Sequence, residues 1–506
     1  MDLRRGGVPT AMKRGSGVLL PVASLWGDYG IGGFGKPAYG FVDALAACKQ
    51  KYWQILPLSP TSYGDSPYQS CSAFAVNPYF IDPGILAQEG LLTDGELQSA
   101  KRDATARIDY GDLFVNRVTL LKTAFSRFKL SPAFKKFAAA PQIREYALYM
   151  ALKERRNYRP WHEWESGLKF LTADRRAAAE REYAADIAFW AFTQYKAQNQ
   201  WRALKAYAAA KGVAVIGDIP IYVAGDSADV WLHKELFKTL KSGELSAVAG
   251  VPPDYFSADG QLWGNPVYNW RRMKASGYEW FLRRIDFCFS LYDYVRIDHF
   301  RGFDRFYQIK RGQTSAKNGV WLKGPSWNLF RRLKGRDIIA EDLGTLDDGV
   351  KKLIARTGYP GMKVLCFAFD GNPQNPYKPS AYAKNCIAYT GTHDNEPFTE
   401  FAARALAENA EGFLDEFNAE LTKAELPPLA PGADRYAVTK SAIELLMKSD
   451  ADAVIFPLAD LLMLGADSRI NTPSTLSDGN WSFRVRESQI GGFTEFLHSL
   501  TEKYNR

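Results

Sequence analysis

The chain has 506 residues, a length that suits one large domain with insertions or two to three domains. Its hydrophobic fraction of 46% is that of an ordinary soluble protein, and its net charge of +8 is small for this length. There is no run of Lys and Arg and no nucleic-acid-binding motif, so we expect no nucleic-acid partner. An aromatic fraction of 14% slightly favours carbohydrate binding, because flat rings stack on the faces of sugars.

Five scattered cysteines without a C-x-x-C pair indicate a reducing compartment, with neither a disulfide framework nor a zinc site. The apolar run at residues 18–23 is too short for a signal peptide and is broken by Pro21. No stretch approaches the roughly 18 uncharged apolar residues of a membrane span. We therefore expect a cytoplasmic protein that does not bind membranes.

Seven apolar runs typical of strands occur along the chain, separated by helical stretches. They lie at residues 52–58 and 213–220 and then end near Asp298, Glu341, Phe369, Asp394 and Asp460. Continuous apolar runs favour a parallel sheet covered by helices, and their alternation with helices favours an α/β fold of the (β/α)8 TIM-barrel type. In such a barrel the active site lies at the carboxyl ends of the strands. A doubly wound sheet is the alternative that this pattern leaves open.

The connections between these runs are uneven in length. The stretch at 173–210 carries an apolar stripe at three-to-four-residue spacing, which predicts a helix or helix pair that ends at Gly212. The regions at about 80–205 and 225–290 are too long for simple crossovers. We expect them to be helical and irregular insertions that build walls around a cleft, within a single catalytic barrel over residues 1–506.

Three of the predicted strands end in carboxylates just before a turn. The segments are Arg296-Ile-Asp298-His-Phe, Ile338-Ile-Ala-Glu341-Asp342 and Thr392-His393-Asp394-Asn. Three carboxylates at strand ends suit the cleavage of a glycosidic bond with retention of configuration. One attacks, one donates and recovers a proton, and one stabilises the sugar cation between them.

The first two segments carry the two carboxylates that suit catalysis most directly. Arg296 and Asp298 are two residues apart on a strand and so point to the same face, where the cation would keep Asp298 ionised and nucleophilic. A structural ion pair is the alternative. Glu341 leaves an apolar strand, and partial desolvation near another carboxylate would raise its pKa and suit a general acid. A helix N-cap is the other interpretation for Asp342.

Histidines accompany two of these acids. His393 can donate to a sugar hydroxyl and Asp394 can accept from two. His299 and His393 are two of only five histidines in the chain, and both lie beside strand-end acids. A His/Asp metal site is the competing interpretation, but no further His lies at ligand spacing, so we expect no metal.

Two loops combine rings with polar residues. The loop at 61–69 follows the first predicted strand and contains Tyr63, and the segment at 252–266 contains Asp254 and Trp263. Turn formation accounts for their Gly, Pro and Asp residues but not so easily for the clustered rings. Sugar stacking and packing of the rings beneath the loops are both open.

Together and in this order, these motifs resemble those of the amylomaltases, the bacterial 4-α-glucanotransferases of glycoside hydrolase family 77, which are related to the α-amylase barrel enzymes. The resemblance covers about residues 15–486. Its motifs are Tyr52-Trp-Gln-Ile-Leu-Pro-Leu, Ser62-Tyr-Gly-Asp-Ser-Pro-Tyr-Gln, Gly217-Asp-Ile-Pro-Ile-Tyr-Val, Pro252-Pro-Asp-Tyr-Phe, Gln261-Leu-Trp-Gly-Asn-Pro, Arg296-Ile-Asp-His-Phe-Arg-Gly-Phe, Ala340-Glu-Asp-Leu-Gly, Thr392-His-Asp-Asn and Asn471-Thr-Pro-Ser-Thr.

The resemblance implies a barrel enzyme that transfers a segment of an α-1,4-glucan to the 4-hydroxyl of glucose or a maltooligosaccharide, with no metal or organic cofactor. It assigns the nucleophile to Asp298, the acid/base to Glu341 and the transition-state stabiliser to Asp394. The sugar-binding positions that it implies are Tyr63, Asp218, Asp254, Trp263, Arg296, His393, Asp370 and Asn471. An α-glucan hydrolase, which would use water in the second step, and a non-catalytic glucan-binding protein are the alternatives.

Overall fold

Eight parallel strands form the centre of the protein. The computed structural model describes residues 12–62, 64–104, 107–253, 259–344 and 346–506. In chain order the strands span Gly15–Leu19 (β1), Tyr52–Gln54 (β2), Ala214–Ile219 (β3), Tyr294–Ile297 (β4), Ile338–Ala340 (β5), Gly361–Val364 (β6), Cys386–Tyr389 (β7) and Ala453–Pro457 (β8). Their order in the sheet is β6-β7-β8-β1-β2-β3-β4-β5, and every pairing is parallel. The predicted (β/α)8 barrel is confirmed.

The two edge strands, β5 and β6, close the barrel through a narrow seam. The N–H of Ala340 donates to the carbonyl of Pro360 at 2.9 Å. The carboxylate of Asp342, two residues after β5, accepts the N–H of Met362 in β6 at 2.7 Å. The suggestion that Asp342 caps a helix is therefore wrong, because its side chain joins two strands and the helix that follows is capped by Asp347.

A packed core lies inside the barrel, below the strand ends. Leu19, Ile216, Ile339, Ile387 and Ile455 come from five different strands, and all five side chains are buried. These branched residues fill the interior, as in other barrels of this type. Polar side chains at the carboxyl ends of the strands therefore stand on an apolar floor and face a cleft.

Helices surround the barrel and fill its longer connections. The longer ones span Lys36–Ala47, Pro83–Gln88, Asp94–Ala100, Val118–Arg127, Pro132–Ala138, Pro141–Arg155, Ala173–Glu182, Ala184–Ala210, Trp270–Ala275, Glu279–Leu291, Asp348–Thr357, Phe398–Lys423, Arg435–Lys448 and Thr494–Lys503. Shorter helical segments lie at Tyr110–Asp112, Ser166–Lys169, Ala228–Leu232, Trp327–Phe330 and Leu458–Leu461. Within the described ranges, none of the helices combines the length and the apolar character that crossing a membrane requires.

The connection from β2 to β3 contains the predicted helix pair. Its two members are Ala173–Glu182 and Ala184–Ala210, and Gly212 follows the second with a φ of +80°. The side-chain amide of Gln194, in the second helix, donates to and accepts from the backbone of Val76 at 2.8 Å each. The long helix thereby anchors the segment that leaves β2.

A second, antiparallel sheet lies in the connections that follow β3 and β4. Its strands, in sheet order, are Gln261–Pro266, Ala247–Val251, Arg305–Lys310 and Val320–Lys323. We expected helical or irregular insertions at 225–290, and the structure adds two of these strands within that range. Each is short and contains a glycine, and one pairs with a strand that follows β4 in the chain. A pairing between distant segments leaves no local periodic signal.

Candidate active site

A buried guanidinium joins two carboxylates at the ends of β3 and β4. Arg296 donates to Asp218 Oδ2 at 2.6 Å through Nη1 and to Asp298 Oδ1 at 3.0 Å through Nη2. Its side chain is only 5% exposed. Residues at i and i+2 of a strand share a face, so Arg296 and Asp298 meet as the sequence predicted, and the neighbouring strand contributes Asp218.

Asp298 lies deep among protein groups yet faces the open cleft, and 31% of its side chain is reached by solvent. Burial raises the pKa of its carboxyl, and the charge of Asp218 acts in the same direction. Arg296 provides the largest opposing effect. The guanidinium is thus the main group that favours the ionised, nucleophilic form of Asp298.

Glu341, directly after β5, has backbone donors rather than a paired cation. Its Oε2 accepts the N–H of His299 and its Oε1 accepts the N–H of Leu343, both at 2.7 Å. Burial raises the pKa of Glu341, and the charge of Asp298 raises it further, against the weaker influence of Arg296 and the two N–H groups. A carboxyl that keeps its proton beside an ionised carboxylate suits general acid/base catalysis.

Asp394 lies in the loop after β7, and two residues of the segment after β8 donate hydrogen bonds to it. The side-chain amide of Asn471 donates to Asp394 Oδ1 at 2.6 Å, and the guanidinium of Arg469 donates to the Asp394 carbonyl at 2.8 Å. Asp394 Oδ2 is 3.5 Å from His393 Nε2. The Asp394 side chain is 44% exposed, so this carboxylate faces the cleft, whereas the His393 side chain beside it is buried.

Two aromatic residues that we did not predict individually also belong to this cluster. The hydroxyl of Tyr68 donates to Asp218 Oδ2 at 2.7 Å and lies 2.9 Å from His393 Nε2, while its ring stacks on that of His393. Trp481 packs beside Tyr68, with ring centroids 5.8 Å apart. Tyr68 shares a motif with Tyr63 and was detectable on that ground, whereas no sequence pattern singles out Trp481.

The remaining predicted residues lie in different places. Trp263 belongs to the antiparallel sheet and meets His299 edge-on, with ring centroids 4.8 Å apart. Asp370 lies on an exposed turn after β6 and accepts the N–H of Asn372 at 3.0 Å. In the described part of the chain, no hydrogen bond or ion pair joins Asp370 to the other site residues. Tyr63 and Asp254 lie outside the described residues.

The site consists of carboxylates and the groups that donate hydrogen bonds to them. Among the residues that the structure describes, no three His, Cys, Asp or Glu side chains form a group that could hold a metal. The carboxylates are instead paired with a guanidinium, backbone N–H groups and an amide. This arrangement can supply a nucleophile, a proton donor and a second negative charge beside one sugar carbon.

Comparison with known proteins agrees with this chemistry. The sequence profile of glycoside hydrolase family 77, described as 4-α-glucanotransferase, matches residues 20–489. The chain is 42% identical to the 4-α-glucanotransferase of Streptococcus pneumoniae over 98% of both chains. It is 40% identical to that of Thermus thermophilus over 95% of this chain and 96% of the other. The amylomaltase of Streptococcus agalactiae, solved in complex with acarbose, matches with a TM-score of 0.90 and 38% identity, covering 98% of this chain and 100% of that one. The chain therefore belongs to the 4-α-glucanotransferase family, which includes the amylomaltases.

Proposed function

We propose that this chain transfers segments of α-1,4-glucans to glucose or maltooligosaccharides by a retaining double displacement. The observation that carries the proposal is the contrast between two neighbouring carboxyls. Asp298 is bound to a buried guanidinium, which favours its ionised form, while burial and the charge of Asp298 favour the protonated form of Glu341. One ionised and one protonated carboxyl at the same sugar are what this reaction requires.

In the first step, a carboxylate oxygen of Asp298 forms a bond to the anomeric carbon as the glycosidic C–O bond breaks. The proton of Glu341 moves to the departing 4-oxygen, and a covalent glycosyl-enzyme results. In the second step, Glu341 takes the proton of the acceptor 4-hydroxyl, whose oxygen attacks the anomeric carbon and releases Asp298. Asp394 stabilises the positive charge that develops on the sugar in both steps.

The surrounding polar residues provide the sugar-binding groups. Asp218, Arg296, His393 and Asn471 are held in one hydrogen-bonded array around Asp298 and Asp394. Their fixed positions reduce the reorganisation needed when a sugar binds. Trp263 offers an aromatic face on the wall formed by the antiparallel sheet. We include Tyr63, Asp254 and Asp370 in the proposed binding set on the family resemblance.

Transfer rather than hydrolysis requires the site to favour a sugar over water. A molar excess of water of about 10⁴ corresponds to roughly 5.6 kcal/mol, at about 1.4 kcal/mol per tenfold. Positioning of one reactant can contribute about 7–11 kcal/mol, which is enough to reverse that preference. The full-length similarity to 4-α-glucanotransferases supports transfer. We place the enzyme in the maltodextrin or starch metabolism of the cytoplasm, as a single catalytic unit.

The products formed from maltotriose test this function. Wild-type enzyme should yield glucose together with a ladder of longer oligomers, and added glucose should speed the consumption of long donors. Glu341→Gln should give no products, whereas Glu425→Gln, at an exposed position away from the site, should match wild type. Reducing ends that rise in step with donor loss would make the chain a hydrolase, and an unchanged substrate would make it a binding protein.

A further inference from the structure

The end of β4 and the turn that follows it are joined to Glu341 at three points. The N–H of Glu341 donates to the carbonyl of Ile297, and the N–H of Phe300 donates to the carbonyl of Glu341, both at 3.1 Å. These two bonds link main chain to main chain. The third, from the N–H of His299 to Glu341 Oε2 at 2.7 Å, reaches the carboxyl itself. This bond therefore fixes the carboxyl of Glu341 relative to Asp298, the residue that precedes His299.

His299 makes this bond from an unfavourable backbone conformation. Its φ and ψ are both 52°, in the left-handed region that residues other than glycine rarely occupy, although His, like Asn, enters it more readily than most. A single residue in this region at a functional site requires surroundings that hold it there. The identity of residue 299 therefore matters even though the group that touches Glu341 is a backbone N–H.

The imidazole of His299 is held on two sides. On one side lies Trp263, edge-on, with an interplanar angle of 88°. On the other lies Gly302, where an added Cβ would be 2.9 Å from His299 Cδ2 and 2.7 Å from Ile221 Cδ1. The ring thus occupies the space that a side chain at residue 302 would need. The packing of the ring against its neighbours offsets the free-energy cost of the left-handed backbone at His299.

The charge state of the His299 imidazole also suits its position beside Glu341. Its Nε2 is buried and has no hydrogen-bond partner among the described residues. Burial, assisted by the charge of Arg301, lowers the pKa of His299 to about 3, so the imidazole stays neutral. A neutral ring holds the backbone beside Glu341 without adding a positive charge that would favour the ionised form of that carboxyl.

We propose that His299 is a positioning residue for Glu341: its ring locks the left-handed backbone whose N–H fixes the carboxyl of the acid/base. The inference rests on the acid/base role proposed above for Glu341. His299 exchanges no proton with the substrate and acts only through its neighbour. The charged and titratable groups that also act on Glu341 are Arg296 from β4, Asp298 directly after β4, Arg301 from the following turn and Tyr377 from the segment after β6.

Two substitutions at the same residue separate backbone geometry from side-chain loss. Asn tolerates the left-handed region, whereas the β-branched Val resists it. We expect His299→Asn to keep most of the activity on maltotriose and His299→Val to lose on the order of 100-fold. Glu425→Val is the matched control, because Glu425 has the same φ of 52° but is exposed and distant from the site. It should show a comparable fall in melting temperature with unchanged activity.

Two readouts distinguish positioning from a general structural effect. The His299 N–H favours the ionised form of Glu341, so its loss in His299→Val should raise the pKa of Glu341 and move the basic limb of kcat/KM to higher pH. Single-turnover reaction with α-glucosyl fluoride needs no proton from Glu341 and should remain fast. Should His299→Val fail to fold, His299→Ala gives the same two measurements.

Two results would overturn the positioning role of His299, and a third would instead remove the proposed function on which it rests. An unshifted basic limb in a folded His299→Val would overturn the positioning role. An equal loss with α-glucosyl fluoride would also overturn it, because the turn would then act through Asp298. A Glu341→Gln variant that retained activity on maltotriose would instead remove the proposed function on which the inference rests.

Discussion

Arg296 supplies the positive charge for two carboxylates, so its removal tests the electrostatics of the site. In Arg296→Met the new side chain can keep the contact with Met362, whose sulfur lies 3.4 Å from Arg296 Nε. Asp218 and Asp298 then lack their cation, and the Asp218 side chain is only 1% exposed, so water cannot replace it. Loss of one partner from a buried ion pair costs about 3–5 kcal/mol. We expect the free energy of unfolding, measured with denaturant, to fall by about that amount.

The same change should move the acid limb of the pH–rate profile. The charge of Arg296 favours the ionised form of Asp298, so its removal raises the pKa of that carboxyl further. Attack requires the ionised form, so kcat/KM for maltotriose should fall near neutral pH. It should recover in part at higher pH, until Glu341 loses the proton needed for the first step. Because Arg296 also lowers the pKa of Glu341, the basic limb should move as well, and the whole profile should shift to higher pH.

Asp218→Asn provides a control in which the acid limb of the pH–rate profile should move in the opposite direction. The charge of Asp218 raises the pKa of Asp298, so its removal should move the acid limb to lower pH while the bond from Arg296 to Asp298 remains. An acid limb that stayed in place in Arg296→Met, with only stability reduced, would refute the electrostatic argument. Arg296 would then be a structural ion-pair partner, the alternative that the sequence left open.

Three further predictions concern single residues. Asp298→Asn should abolish formation of the glycosyl-enzyme without unfolding the chain, and mass spectrometry of wild type treated with a fluorosugar donor should locate the adduct on Asp298 rather than on another carboxyl. Trp263→Ala should weaken maltooligosaccharide binding by about 1–3 kcal/mol in calorimetry, and a fall in melting temperature with unchanged affinity would instead mean that the ring only packs. Gly302→Ala should destabilise the fold by about 1–3 kcal/mol in denaturant unfolding, because its Cβ would lie 2.7 Å from Ile221 Cδ1, and unchanged stability would show that the turn can relax.

The barrel was predictable from its apolar runs, but its first strand was not. Residues 15–19 read Gly-Ser-Gly-Val-Leu, and two glycines in five residues argue against a strand. The structure explains one of them, since a Cβ at Gly17 would lie 2.3 Å from the carbonyl oxygen of Tyr52 in the neighbouring β2. The close approach of β2 thus requires a glycine at residue 17, and that same glycine weakens the sequence pattern by which β1 could have been predicted.

The carboxylates of the site were predictable for a reason that does not extend to their partners. Parallel strands in a barrel present all their carboxyl ends at one face, so Asp298 and Glu341 are placed together by topology alone. Asn471 reaches Asp394 from 77 residues away and lies in a stretch without helix or strand. Trp481 belongs to the same irregular region. Contacts of this kind depend on the path of a loop, which composition and periodicity do not determine.

The proposed division of labour among three similar acids follows from what each one contacts. Asp298 has a guanidinium, Glu341 has backbone N–H groups, and Asp394 has the amide of Asn471. Burial raises the pKa of both Asp298 and Glu341, but at Asp298 the guanidinium is the largest opposing influence, whereas at Glu341 the charge of Asp298 adds to burial, so the partners and not the residue types separate nucleophile from acid. Each partner comes from a different part of the chain, namely β4, the turns after β4 and β5, and the segment beyond β8. Correct protonation of the site therefore depends on the closed barrel, because no single βα unit contains both an acid and all the groups that set its charge.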